Sequence, residues 1–244
     1  MIRVWDPGGL LGAAVAELPI TTAPAGEPDG AVAVCADGGA VRAALAAGAI
    51  GIVLAGPGPA DPDGLAEVAA ASRDHPVVVL RTRLPDRPRT EAAVIVAECA
   101  APHGDLDAVL PDAIGWLRAL SGQHLDLSAA AVTETGILAL MDAGGTPASL
   151  LARSLSGVPD GGVIRVTALG AERVEVVVDE PAGVLRIGIE REGAAEEEAR
   201  RLESPERAAL RRIAVALGTG DRPRDADDLL HDTRLARAIL GTPG

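Results

Sequence analysis

Two units in series are predicted: an α/β unit built on a parallel sheet, then an α+β unit with a large, mostly antiparallel sheet. Three observations predict this. Residues 31–35, 50–54 and 76–80 are short, wholly apolar runs, the pattern of strands buried on both faces. Helix-forming segments lie between them on short connections, which is the βαβ rhythm. Beyond residue 90 the texture changes to successive strand-like segments separated by turn signals.

The elements follow in order. Residues 2–5 form a first strand, which runs into Asp6-Pro7-Gly8-Gly9-Leu10-Leu11-Gly12 and an Ala-rich helix ending near Leu18. After the strand at 31–35, Asp37 caps a helix over 39–47 and Gly48 stops it, as a C′ glycine does. A strand at 50–54, a helix started by Asp61 or Asp63 and ending at Ala71, and a strand at 76–80 complete a first unit over 1–82. Residues 81–90, with Arg81, Arg83, Arg87 and Arg89 among prolines, read as a boundary. The second unit, 83–244, opens with a strand at 92–97 and a helix at 106–120. Strands at 127–132, 136–141, 150–155, 163–169, 174–178 and 184–189 follow, with turns at 142–145 and 180–183. The acidic run 190–198 reads as a solvated loop or a helix start. Ser204-Pro205 caps a helix over 205–217, and a last helix covers 225–240.

Composition excludes several chemistries. The 244 residues contain 22 cationic side chains, all of them Arg; Lys, Tyr, Phe and Asn do not occur. There is thus no Schiff-base lysine, no phosphate-cradling lysine and no phenolic acid. The missing residues have A/T-rich codons, which points to a GC-rich bacterial genome. Aromatics are 1% of the chain, Trp5 and Trp116, so the cores rest on small aliphatic side chains and nucleobase stacking lacks platforms. A net charge of −13 disfavours nucleic acid and anionic membranes as partners. No apolar run approaches the ~20 residues that span a bilayer. Residues 1–4 read as a strand start, not a signal peptide. A cytoplasmic protein with free, buried Cys35 and Cys99 is expected. His75, His103, His124 and His231 form no metal-binding spacing, so no metal site is predicted.

Four stretches together resemble the glucose–fructose oxidoreductase / inositol dehydrogenase (Gfo/Idh/MocA) family. They are the glycine turn, the segments 29–34, 43–48 and 52–54, the stretch 104–122, and the closing sheet with helices at 206–217 and 225–240. The resemblance implies a Rossmann-like NAD(P)-binding domain followed by a sheet domain that commonly forms subunit contacts. It implies dinucleotide contacts at Gly8, Gly9 and Gly12. It also marks losses. Pro7 stands where the family has its first glycine, removing an N–H and fixing φ. Residues 20–29 are too short for the family's second strand, helix and return loop, and Glu27 is the nearest candidate for the acidic residue that holds ribose. The family's Glu-Lys-Pro falls on Ala55-Gly56-Pro57, so its lysine is Gly56. Its Asp and His fall on Ala108 and Asp112, and the next Asp on Gly115. The chain between Arg83 and Gly104 is shorter than in the family.

These losses point to a repurposed or non-catalytic protein, a pseudoenzyme acting as a homodimer through the antiparallel sheet or in a heteromer with an intact paralogue, with no cofactor. Two alternatives stand beside it. One is an NAD(P)-dependent oxidoreductase with a rebuilt site, using Gly8, Gly9 and Gly12 for the dinucleotide and Asp112 or His103 for the proton. The other is a cofactor-free lyase or cyclase whose cleft holds Arg81, Arg83, Glu98, His103 and Asp112.

Overall fold

The computed structural model describes residues 1–18, 20–55, 62–80, 91–102, 104–158, 162–179, 184–192, 194–197 and 204–241. Contacts divide the chain into two compact units, Met1–Arg83 with Leu202–Leu230, and Leu84–Arg201 with His231–Gly244.

The first unit is a five-stranded, all-parallel sheet. Its strands are β1 (Ile2–Trp5), β2 (Thr22–Pro24), β3 (Val32–Cys35), β4 (Gly51–Ala55) and β5 (Val77–Leu80), in the order β2-β1-β3-β4-β5. β3, β4 and β5 are short and wholly apolar because helices cover both faces. Val53 and Ala55 point to the face of α1 (Gly12–Glu17) and α5 (Pro205–Thr219), meeting Val15, Leu210 and Ile213. Ile52 and Leu54 point to the other, meeting α2 (Gly38–Ala46), α3 (Pro62–Ala71) and the start of α6 (Asp225–Leu240) through Val41, Leu65, Val68 and Leu229. Asp37 caps α2 by accepting the Ala40 N–H at 2.8 Å.

One expectation is corrected here. Residues 20–29 do hold a second strand: β2 lies parallel to β1, pairing Ile2 with Thr22 and Val4 with Pro24. What is missing is a helix between β2 and β3. Three residues suffice for an edge strand, because β1 supplies all of its ladder partners.

β5 is the opposite edge. Its Val79 N–H donates to Asp225 Oδ2 at 3.1 Å. Asp225 also holds Arg212 of α5 in a fork of 2.6 and 2.8 Å. One carboxylate thus blunts a strand edge and joins α5 to α6.

The second unit is an eight-stranded sheet in the order β13-β12-β11-β10-β6-β9-β8-β7. The strands are β6 (Ala92–Ala101), β7 (Asp126–Val132), β8 (Gly136–Ala143), β9 (Thr146–Ser154), β10 (Val163–Gly170), β11 (Arg173–Asp179), β12 (Val184–Arg191) and β13 (Ala194–Glu197). All neighbours are antiparallel except β6 and β9, which run parallel. β13 corrects the reading of the acidic run: residues 194–197 are an exposed edge strand on β12, not a loop or a helix start. Its glutamates face solvent, the usual defence of an edge against further pairing.

α4 (Leu106–Ser121) lies on one face of this sheet, against β6, β9 and β10. Its Leu110, Ile114, Trp116 and Leu117 are fully buried against Ile95, Ala97, Leu150 and Val166. The end of α6 adds Leu235 and Ile239 to the same core. Arg118 of α4 and Asp232 of α6 meet inside it, at 2.9 Å from Nε and 3.1 Å from Nη2. The 180–183 turn and the 81–90 arginine cluster fall outside the described residues.

Candidate functional site

In the first unit the strand order reverses at β1, between β2 and β3, and ligands of open α/β sheets bind at such a reversal. The glycine turn follows β1 at that point. Gly9 takes φ +69°, a conformation that only glycine adopts without cost. It lets the chain leave β1 and enter α1 within a few residues. A cavity of about 370 Å³ lies beside the turn. Asp6, Gly9, Gly12, Val15, Thr22 and Pro24 are among its lining residues. A Cβ at Gly9 or Gly12 would meet nothing within 4 Å. The third glycine therefore does not serve close helix–strand packing within the chain.

The hydrogen bonds of the turn run inward. Gly9 N–H donates to Asp6 O at 3.2 Å and Gly12 N–H to Gly9 O at 3.3 Å. Leu11 N–H, at the mouth of α1, donates to Asp6 Oδ2 at 2.6 Å. The other carboxylate oxygen, Oδ1, is buried without a partner. Pro7 has no N–H, so only Gly8 and Leu10 carry the remaining ones. A dinucleotide is held at such a turn by N–H groups that point at its pyrophosphate. Here a carboxylate already takes the N–H at the helix mouth and places its own charge there. The residues present do not fit a pyrophosphate. Glu27 is exposed in the loop past β2, three residues beyond Pro24, the last residue of β2.

Asp112 is half-buried on α4. Ala108 and Gly115 lie one turn before it and nearly one turn after it. His103, Gly56, Arg81 and Arg83 lie outside the described residues. The cleft expected to join Glu98 with Asp112 is contradicted by the pleat of β6. Ala97, Cys99 and Ala101 face α4, so Glu98 points to the opposite side of the sheet. There it sits beside Arg165 of β10.

Both thiols are buried, as expected. Burial pushes Cys99 up to about 12. Burial, with a smaller contribution from the Asp37 carboxylate, pushes Cys35 up to about 11. Neither is a nucleophile at neutral pH. No group of metal-ligating side chains occurs among the described residues. Among them, too, no helix is long and apolar enough to cross a membrane.

The open face of the second sheet is the other notable surface. Leu138 and Leu140 of β8 are 49% exposed and Leu151 of β9 is 37% exposed. Leu138 and Leu151 are direct cross-strand partners. Ala129 and Ala131 of β7 continue the patch on one side, and Val96 of β6, beside Ser149, on the other. Further along, β10 to β12 carry charges that pair within the chain: Arg165 with Glu175 at 3.3 Å and Arg173 with Glu190 at 3.1 Å.

Sequence reasoning missed Asp6, Asp225 and the Arg118–Asp232 pair. Asp6 had a local signal, an acidic residue at the strand end two positions before the glycines. The others had none, because their partners are 13 to 146 residues away.

No protein-family model and no curated protein matches the chain. Solved structures do. The 3-ketoreductase KijD10 from Actinomadura kijaniata, determined in complex with TDP-benzene and NADP, matches with a TM-score of 0.68 at 17% identity, over 98% of this chain and 97% of that one. The UDP-N-acetylglucosamine 3-dehydrogenase GnnA from Acidithiobacillus ferrooxidans matches with a TM-score of 0.70 at 13% identity, over 98% and 96%. The dehydrogenase MviM from Clostridium difficile matches with a TM-score of 0.69 at 12% identity, over 98% of both. At these identities the likeness is one of fold. The chain has the two-domain fold of the Gfo/Idh/MocA oxidoreductases, a Rossmann-like parallel sheet followed by a large, mostly antiparallel one.

Proposed function

We propose that this chain is a Gfo/Idh/MocA-type protein that acts through association and does not transfer hydride. The open sheet face carries the reading. Leu138, Leu140 and Leu151 stand together on it, and further along the sheet Arg165 pairs with Glu175 and Arg173 with Glu190 within the chain. Contiguous apolar surface of this kind marks an interaction site. A second copy of the same chain is its simplest partner, across a two-fold axis that sets the patch against itself. An intact paralogue with the same sheet is the other candidate.

The chemistry agrees with this. Hydride transfer to or from a carbonyl needs a group that moves a proton near neutral pH. This chain has neither lysine nor tyrosine anywhere. Asp112 and His103 are the acid/base candidates that remain. The glycine turn does not fit a pyrophosphate, so the proposed protein holds no nicotinamide cofactor.

Analytical ultracentrifugation at about 50 µM tests the reading, since weaker association would have little function. The expected result is a dimer that Leu138→Arg with Leu140→Arg converts to a folded monomer. A monomeric wild type that also fails to co-purify with a co-expressed intact paralogue would refute it.

A further inference from the structure

We infer that Asp6 is a built-in anion that fills the phosphate seat of the glycine turn, so that this chain turns dinucleotides away while keeping the fold that binds them. This deepens the association reading but is tested by ligand binding alone, so either can fail without the other.

The argument starts from the donors. A strand–turn–helix unit of this type offers N–H groups at the helix mouth, and an anion normally completes them. In this chain the Asp6 carboxylate reaches Leu11 N–H at 2.6 Å, a short, charge-assisted hydrogen bond. Gly9 and Gly12 donate to carbonyls within the turn. Three donors are thus committed internally, and Pro7 removes a fourth.

Charge acts in the same direction. Asp6 Oδ1 is buried without a hydrogen-bond partner. It lies 3.9 Å from where a Gly8 Cβ would sit, so the carboxylate is tucked under the turn. No arginine is among the described residues that line the cavity beside it. A diphosphate placed there would face an uncompensated like charge in a site partly shielded from water, where repulsion is weakly screened. The cavity itself persists, and Gly9 and Gly12 leave it open. Steric room is therefore kept while the electrostatics are reversed.

The test is NADPH binding, followed by its fluorescence and by native mass spectrometry. Wild type is expected to show no saturable binding up to about 1 mM NADPH, a concentration at which even a weak site fills. Asp6→Asn removes the charge but keeps an acceptor for Leu11 N–H. Asp6→Ser keeps a shorter acceptor, and Asp6→Asn with Pro7→Gly also restores an N–H. Each is expected to bind NADPH at least about tenfold more tightly than wild type, with the double variant tightest. Circular dichroism confirms that the variants are folded, and the serine variant stands in if the asparagine variant is not. Saturable micromolar binding by the wild type would overturn the inference. Folded variants that gain nothing over wild type would overturn it as well.

Discussion

Replacing Asp232 with alanine should destabilise the second unit more than any surface change. Asp232 is fully buried on α6, and the Arg118 side chain on α4 is 9% exposed. Their fork, at 2.9 and 3.1 Å, satisfies two guanidinium donors. The Coulomb attraction of such a pair is largely offset by the cost of desolvating both ions, so the intact pair contributes little net stability. Removing one partner is different, because the other ion stays buried while losing both hydrogen bonds of the fork. The loss is then about 3–5 kcal/mol. Asp232→Asn should cost nearly as much, since its amide turns N–H donors towards a group that only donates. Replacing both, as Arg118→Met with Asp232→Leu, should return stability to within about 1–2 kcal/mol of wild type or above it. The assay is urea unfolding followed by Trp116, which is fully buried on α4. Trp5 is replaced by Leu in every protein so that the signal reports only the second unit. A cost below about 1 kcal/mol for Asp232→Ala would refute the reasoning, because losing two charge-assisted hydrogen bonds on a buried cation cannot be that cheap. So would a double variant as unstable as the single one.

Three further outcomes are expected. Asp225→Ala should cost about 1–3 kcal/mol in the first unit, since it frees the Val79 N–H at a sheet edge and the half-exposed Arg212; amide exchange at Val79 should quicken, and an unchanged rate would count against the cap. Gly9→Ala should cost about 1–2 kcal/mol through its positive φ alone, whereas Gly12→Ala, in open space at the start of α1, should be neutral or slightly stabilising. Equal melting shifts for the two would remove the distinction. Cys35 and Cys99, raised to about 11 and about 12 from an ordinary 9.0, stay protonated in the fold after the unfolded chain has ionised. Their contribution to stability is complete below pH 9 and is lost as pH rises through 9 towards 11–12. Neither thiol should react with a disulfide reagent at pH 8 until urea is added; fast labelling of the native protein would contradict the burial.

Much of the fold was legible because it rests on local periodicity. The continuous apolar runs of β3, β4 and β5 announce strands covered on both sides, and Asp37, Gly48 and Ser204 punctuate helices through bonds that span only a few residues. β2 escaped notice because three residues leave no period to read, and its identity comes wholly from pairing with β1. β13 looked like a charged loop because every side chain faces solvent, and only the ladder to β12 makes it a strand. The candidate site was less legible. The glycine pattern located the turn, but the pattern says nothing of which way its N–H groups point.

By itself, then, the sequence determined the class of each unit, the order of most elements and the chemistry that is absent, since composition excludes lysine and tyrosine wherever the chain folds. Only the tertiary structure decided what the remaining side chains meet. It set Glu98 and Asp112 on opposite sides of one sheet, closed Asp232 onto Arg118 and gathered three leucines on an open face. It also turned Asp6 back onto the mouth of α1. The physical reason is common to the first three: alternation and helical period fix which side of an element a residue occupies, while its neighbour across space is chosen by register and packing between segments apart in the chain.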